Sequence, residues 1–143
     1  MFKMLQVPVD LSDPEHYRDS VDTAASLARQ YGATVRLVTV VPPLPGMVAE
    51  YLPAETHEQM LAETREKLEE IVSGLDLGEG GCDLAVREGA VYHEVLEDAQ
   101  EAGVDLIIMG SHRPAMRTYL IGSNAARIVR HAPCSVMVLR GED

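Results

Sequence analysis

Two Gly-Ser pairs, Gly110-Ser111 and Gly122-Ser123, bracket a segment containing His112, Arg113 and Arg117, and residues 106 to 141 carry five arginines with no Asp or Glu. The rest of the chain holds all 23 acids of a protein whose formal net charge is −11. An acid-free, glycine-punctuated stretch in so negative a chain suits a small anion. Glycine lets backbone approach a ligand closely, and free N–H groups at a helix start receive negative charge. Here those groups would be the amides of Ser123, Asn124 and Ala125, joined by the Ser123 hydroxyl. Near the other end of the chain, Asp10 in "VPVD" has the complementary capacity, because a carboxylate accepts hydrogen bonds from a ribose hydroxyl or a base amino group. Each feature alone has a plainer reading: Asp10 as a helix cap, Gly122-Ser123 as a turn and N-cap, Arg127 and Arg130 as cations at a helix C-terminus.

Other chemistries find less support. There is no GxxxxGK[ST] loop, the only lysines are Lys3 and Lys67, and the five histidines form no HExxH pair. Ser123 has no assigned His and Asp partners, and "EGG" is too short for a dinucleotide fingerprint. Cys82 and Cys134 lie far apart without CxxC spacing and read as two buried thiols. Phosphoryl transfer needs a positioned γ-phosphate, a held metal and an oriented nucleophile. Only the first requirement is visible, with Asp10 or a more distant residue left to hold a metal through the fold, so slow hydrolysis or self-phosphorylation is the most to expect. The overall charge disfavours nucleic acid, which is held largely by basic surface. No apolar run approaches the roughly 18 residues of a membrane span and "MFKMLQVPVD" lacks a signal-peptide pattern, so a cytoplasmic protein without membrane insertion is expected.

What must position these residues is a single domain over residues 1–143, a length with 46% hydrophobic content that sustains one core. "KMLQVPVD" and "TVRLVTVV" are short β-branched runs. Between them "PEHYRDSVDTAASLARQYG" places Tyr17, Val21, Ala24, Ala25, Ala28 and Tyr31 at helical spacing, with Asp13 or Ser12 as N-cap, Pro14 in the first turn and Gly32 as the stop. "PPLPGMVAEYLP" concentrates four of the eight prolines and reads as a long loop. "ETHEQMLAETREKLEEIVSG" is a surface helix through Leu61, Thr64, Leu68, Ile71 and Val72. "CDLAVREG" alternates as a strand, "AVYHEVLEDAQEAG" is a helix closed by Gly103, and "VDLIIMG" is a strand. A last short helix spans residues 123 to 131, and "CSVMVLR" is the last strand.

Five strands alternating with four helices imply an open α/β domain, because parallel neighbours need long, right-handed crossovers. Ligands of such sheets bind beyond the carboxyl ends of the strands where strand order reverses, which singles out "VPVD", "VTVVPP" and "IIMGSH". There Pro8 suits a strand about to end, Gly110 permits close backbone approach, and the backbone at Val40 could pair with an adenine edge while its side chain packs in the core.

"VPVD", "VREGAVYHEVLEDA", "VDLIIMGSHR" and "LIGSNAARIVRHAPCSVMVLR", in this strand and helix order, resemble the universal stress protein family from end to end. "SHRP" followed by "GSNAARIVRHA" looks most like its F/G-type branch. The resemblance implies a five-stranded parallel sheet of order 3-2-1-4-5 with helices on both faces, as in adenine nucleotide alpha hydrolase-like folds. It also implies a homodimer formed partly through the final strand, which could assemble further to a tetramer, and a bound ATP, with or without Mg2+, or alternatively ADP or AMP. By that resemblance Pro8, Val9 and Asp10 line the adenosine end and Val40 contacts the base. Gly110 lies under the ribose or α-phosphate, and Gly122, Ser123 and Asn124 hold the phosphates, with His112 beside them. Arg113 stands where the family's nucleotide motif has its second glycine, and the segment to Gly122 is one residue short. A guanidinium there could supply charge-assisted donors to phosphate in compensation. Two functions follow: a nucleotide-binding regulatory protein whose loop at 42–54 closes over the ligand and alters a surface facing a regulatory protein partner, or a nucleotide-free dimeric stress scaffold in which Arg113 and the short segment close the pocket.

Overall fold

The computed structural model describes residues 1–43, 46–51, 53–111 and 122–140, with the side chains of Met47, Val48 and Ala49 excepted. The elements run β1 (Met4–Pro8), α1 (Pro14–Tyr31), β2 (Thr34–Val41), α2 (Gly46–Tyr51), α3 (Ala54–Ser73), β3 (Cys82–Glu88), α4 (Val91–Glu101), β4 (Leu106–Gly110), α5 (Ser123–His131) and β5 (Ser135–Leu139). The strands form one parallel sheet in the order β3-β2-β1-β4-β5, as the family resemblance implies. Strand order reverses at β1, which pairs with β2 on one side and β4 on the other.

Alternation along the strands builds two cores. Leu5, Val7, Val35, Leu37 and Ile108 face α1 and α3, where Val21, Ala24, Ala28 and Leu68 meet them. Val38, Ile107 and Met109 turn to the opposite face, against Val95 and Ala99 of α4 and Ile128 of α5. That second face also carries polar residues at strand positions that sequence pattern would reserve for apolar ones. Asp98 of α4, fully buried, accepts two hydrogen bonds from Arg36 of β2 (Nε 2.9 Å, Nη2 2.8 Å) and one from Gln6 of β1 at 2.8 Å. Burial alone would raise the Asp98 carboxyl, but these donors overcome it and hold the group below the usual carboxylate range.

The helix ends follow their local signals. Asp13 caps α1 by accepting from the His16 N–H, proline occupies the first turn, and Gly32 ends the helix in the left-handed conformation at φ 66°. Tyr31, read as an inward position, is 46% exposed and instead meets Phe2 edge to face with ring centroids 5.8 Å apart. Residues 42–54 do not form a pure loop. The prolines fall at 42, 43, 45 and 53, leaving "GMVAEY" free to wind into α2, so the described residues hold five helices where four are expected. Neither cysteine is fully buried, but both are free and partly shielded, and burial pushes each thiol upward, away from the reactive thiolate. No helix among the described residues is long and apolar enough to cross a membrane.

Candidate functional site

The carboxyl ends of β1 and β4 lie side by side where strand order reverses, the place at which sheets of this kind bind ligands. Leu5 pairs with Leu106 and Gln6 with Ile107. Carried forward at the same offset, this register sets Val9 beside Gly110. Val9 is fully engaged by the fold: its side chain is buried, its N–H donates to Val38 O at 2.8 Å, and its C=O accepts from the Thr39 hydroxyl at 2.7 Å. It supports the segment that projects Asp10 rather than presenting a group of its own. Pro8 is half-buried and Asp10 is exposed. One oxygen of Asp10, Oδ1, accepts from the Ser12 N–H at 3.0 Å and the Ser12 hydroxyl at 2.6 Å, so the carboxylate is held by the turn.

Val40 lies at the end of β2, where its half-buried side chain packs against the α4 side of the sheet. Val38 C=O accepts from Val9, so Val40, two residues further on, turns its N–H and C=O in the same direction, past the end of β1.

The two Gly-Ser pairs meet. The Gly122 N–H donates to Ser111 C=O at 2.9 Å, and the Ser111 N–H donates to Leu139 C=O at 2.9 Å, so Ser111 and Gly122 are clamped together beside the end of β5. His112 and Arg113 fall within that segment and lie outside the described residues. Beyond the clamp α5 begins with Gly122 at its N-cap and no capping side chain, and the first amide given back to the cap is that of Ala126, which donates to Gly122 C=O at 2.9 Å. Ser123 and Asn124 are exposed there. The charge-bearing end of α5 is used differently: Arg130 and His131 occupy its last turn, and the Arg127 guanidinium stacks 4.9 Å from the Tyr92 ring centroid on α4.

The glycines have different reasons. At Gly110 a Cβ would come 2.9 Å from His16 Cε1 and 3.1 Å from His16 O, so the missing side chain admits the first turn of α1 against β4. At Gly122, φ is −54° and ψ 154°, which any residue adopts, and among the described residues a Cβ would meet only Ser111 O at 3.7 Å. His16 and Ser111 are the residues at this junction that sequence reading passed over. His16 sits in no motif, and its nearness to Gly110 exists only once α1 packs on β4. Ser111 is 7% exposed and contributes through its backbone.

Among the described residues, the three groups within metal-binding reach of one another are His93, Glu94 and Glu97 on α4. Glu94 is held there by Arg87 at 3.0 Å.

The arrangement defines a class first: a doubly wound α/β fold whose strand order reverses at β1, with Asp10, the Val40 backbone and the start of α5 all at the carboxyl ends of its strands. The universal stress protein family model matches residues 1–140, and the chain belongs to that family. The chain is 33% identical over 143 residues to Universal stress protein G of Shigella flexneri, covering 98% of this chain and all of that one, in keeping with the F/G-type branch. Among solved structures, universal stress protein UspA from Lactobacillus plantarum superposes with a TM-score of 0.78 at 21% identity, over 97% of this chain and 98% of its own. A universal stress protein in complex with cAMP gives 0.64 at 22% identity, over 99% and 98% of the two chains. A family member from Arabidopsis thaliana with AMP bound gives 0.64 at 13% identity, over 98% and 92%.

Proposed function

We propose that this protein binds an adenine nucleotide, ATP foremost, in the crevice between β1 and β4, and works as a regulatory stress-response protein. The observation that carries the reading is the hydrogen bond from Gly122 to Ser111, which fixes an uncapped helix start beside the end of β4. The N–H groups of Ser123, Asn124 and Ala125 then receive phosphate oxygens, helped by the Ser123 hydroxyl. Gly122 fits this role because, among the described residues, a Cβ there meets only Ser111 O at 3.7 Å, and a bare backbone lets a phosphate approach the helix start closely. Asp10 and the Val40 backbone edge take the nucleoside, Asp10 through the oxygen that Ser12 leaves open. By the family resemblance His112 and Arg113 are assigned to the phosphates. Complexes of two family members with cAMP and AMP support the choice of ligand class.

No catalytic step is assigned. A magnesium ion arriving with the triphosphate meets one carboxylate of the proposed set, Asp10, already bonded to Ser12 through Oδ1. The assembly that accompanies this reading is a cytoplasmic homodimer through β5, which pairs only with β4 among the described residues and leaves its other edge for a second copy. Nucleotide closes the 42–54 segment and changes the surface offered to a protein partner.

Calorimetric titration with ATP, ADP, AMP and GTP tests the proposal. Saturable binding of the adenine nucleotides, weakened by Asp10→Ala, supports it. The absence of heat with every adenine nucleotide removes it in favour of a nucleotide-free scaffold.

A further inference from the structure

We infer that the groove between the start of α1 and the C-terminal half of α3 binds a free α-amino acid with an apolar side chain, at a second site separate from the proposed nucleotide site. The groove is open on one side, has a volume of about 400 Å³ and is lined by Leu11, Tyr17, Lys67, Glu70 and Ile71. Clefts of this size take small ligands. Its floor is apolar, because Leu11, Tyr17 and Ile71 are partly buried and pack on the core that α1 and α3 share with the sheet. Its rim is polar and unengaged. Among the described residues the Tyr17 hydroxyl, the Lys67 ammonium and the Glu70 carboxylate make no hydrogen bond or ion pair, whereas Arg65 and Glu69 on the same helix pair at 3.8 Å. Val40, α4 and α5 pack on the opposite face of the sheet, so the inference does not depend on the nucleotide reading.

The charges select the ligand. Lys67 and Glu70 stand one turn apart on α3 and are neighbours on its surface. Glu63 lies a turn before Lys67, Glu66 directly precedes it, and the whole chain carries −11, so a lone anion drawn to Lys67 is repelled by its surroundings. A lone cation drawn to Glu70 meets Lys67. A zwitterion satisfies both groups and brings no net charge: its carboxylate accepts from the Lys67 ammonium and the Tyr17 hydroxyl, and its ammonium donates to Glu70. An α-amino acid holds these two groups on one carbon, close enough together to span residues a turn apart. Its side chain is left to cover Leu11 and Ile71, and burial of that apolar surface favours leucine or phenylalanine over glycine.

The test is a titration of isotope-labelled protein with leucine, followed through the amide resonances of Leu11, Tyr17, Lys67, Glu70 and Ile71. It is repeated with phenylalanine, with glycine, with N-acetylleucine, which lacks the ammonium, and with leucinamide, which lacks the carboxylate. Leucine and phenylalanine move these resonances saturably at about millimolar concentration. Glycine and both blocked analogues bind at least about threefold more weakly. Each variant then erases one distinction. Lys67→Gln weakens leucine about threefold and no longer separates it from leucinamide, and Glu70→Gln does the same for N-acetylleucine. Both side chains are exposed, so both variants fold, which thermal melting verifies. No saturable shift with leucine overturns the inference. So does a blocked analogue that matches leucine on the wild type, or a pair of variants that keep the wild-type order of ligands. Each of these results leaves the nucleotide reading intact, and a wild type that binds leucine but no ATP removes that reading alone.

Discussion

Gly122→Asp separates the proposed ligand site from the fold because its two effects have opposite signs. The residue is the N-cap of α5, with φ −54° and ψ 154°, and among the described residues a Cβ there meets only Ser111 O at 3.7 Å. An aspartate is accommodated and caps the amides that Gly122 leaves to solvent or ligand. The gain of a side-chain cap over glycine, with a carboxylate at the positive end of the helix, is about 0.5 to 1 kcal/mol. For a chain of this size that raises Tm by about 1 to 4 °C. The same carboxylate lies where a phosphate is proposed to sit. Two unit charges about 5 Å apart at an effective dielectric near 20 repel by about 3 kcal/mol, which weakens ATP binding by about a hundredfold. Gly122→Asn is the control: it caps without charge and loses less affinity. Paired calorimetry and differential scanning calorimetry read both quantities on the same preparations. A higher Tm with unchanged ATP affinity refutes the reasoning, because occupied amides would then be irrelevant to the ligand. A lower Tm shows that the N-cap geometry of α5 has been misjudged.

Gly110→Ala carries a steric cost, since the new Cβ presses on both the ring and the backbone carbonyl of His16, and thermal melting shows a loss of about 1 to 3 kcal/mol. Asp98→Asn leaves the Arg36 guanidinium without its buried counter-ion and costs about 3 to 5 kcal/mol at pH 7 in urea unfolding. Because the folded Asp98 carboxyl lies below its unfolded value, its stabilisation is complete above about pH 4 and disappears as pH falls through the folded value. The gap between wild type and Asp98→Asn therefore narrows in acid, and a gap independent of pH contradicts the assigned pairing. Leu68→Ala, the truncation of a fully buried α3 residue, costs about 2 to 5 kcal/mol without altering ligand preference.

The fold was legible where local and long-range signals coincide. Asp13, Pro14 and Gly32 mark both ends of α1 because cap, proline and left-handed stop are decided within a few residues. The strands are legible because both faces of the sheet are covered and their residues are almost all apolar. Where the two levels part, reading along the chain falls short. Asp98 sits in "EVLEDAQEAG" like any exposed helix acid, and only Gln6 and Arg36, polar residues inside otherwise apolar strands, hint at a buried partner. Arg36 lies 62 residues away and Gln6 lies 92 away. α2 was hidden because prolines on either side dominate the composition of its loop. The candidate site divides the same way. Asp10, Gly110 and Gly122-Ser123 have types that suggest ligand chemistry, but the reason for Gly110 is His16, a contact between α1 and β4 that no spacing encodes. The clamp between Ser111 and Gly122 is likewise a backbone bond, to which side-chain identity contributes nothing.

The account is tested most directly by native mass spectrometry of the wild-type protein purified without added ligand and then exposed to ATP. It predicts one adenine nucleotide per chain, carried through purification or taken up on addition, and lost in Gly122→Asp. A chain that remains at its bare mass with ATP in excess contradicts it.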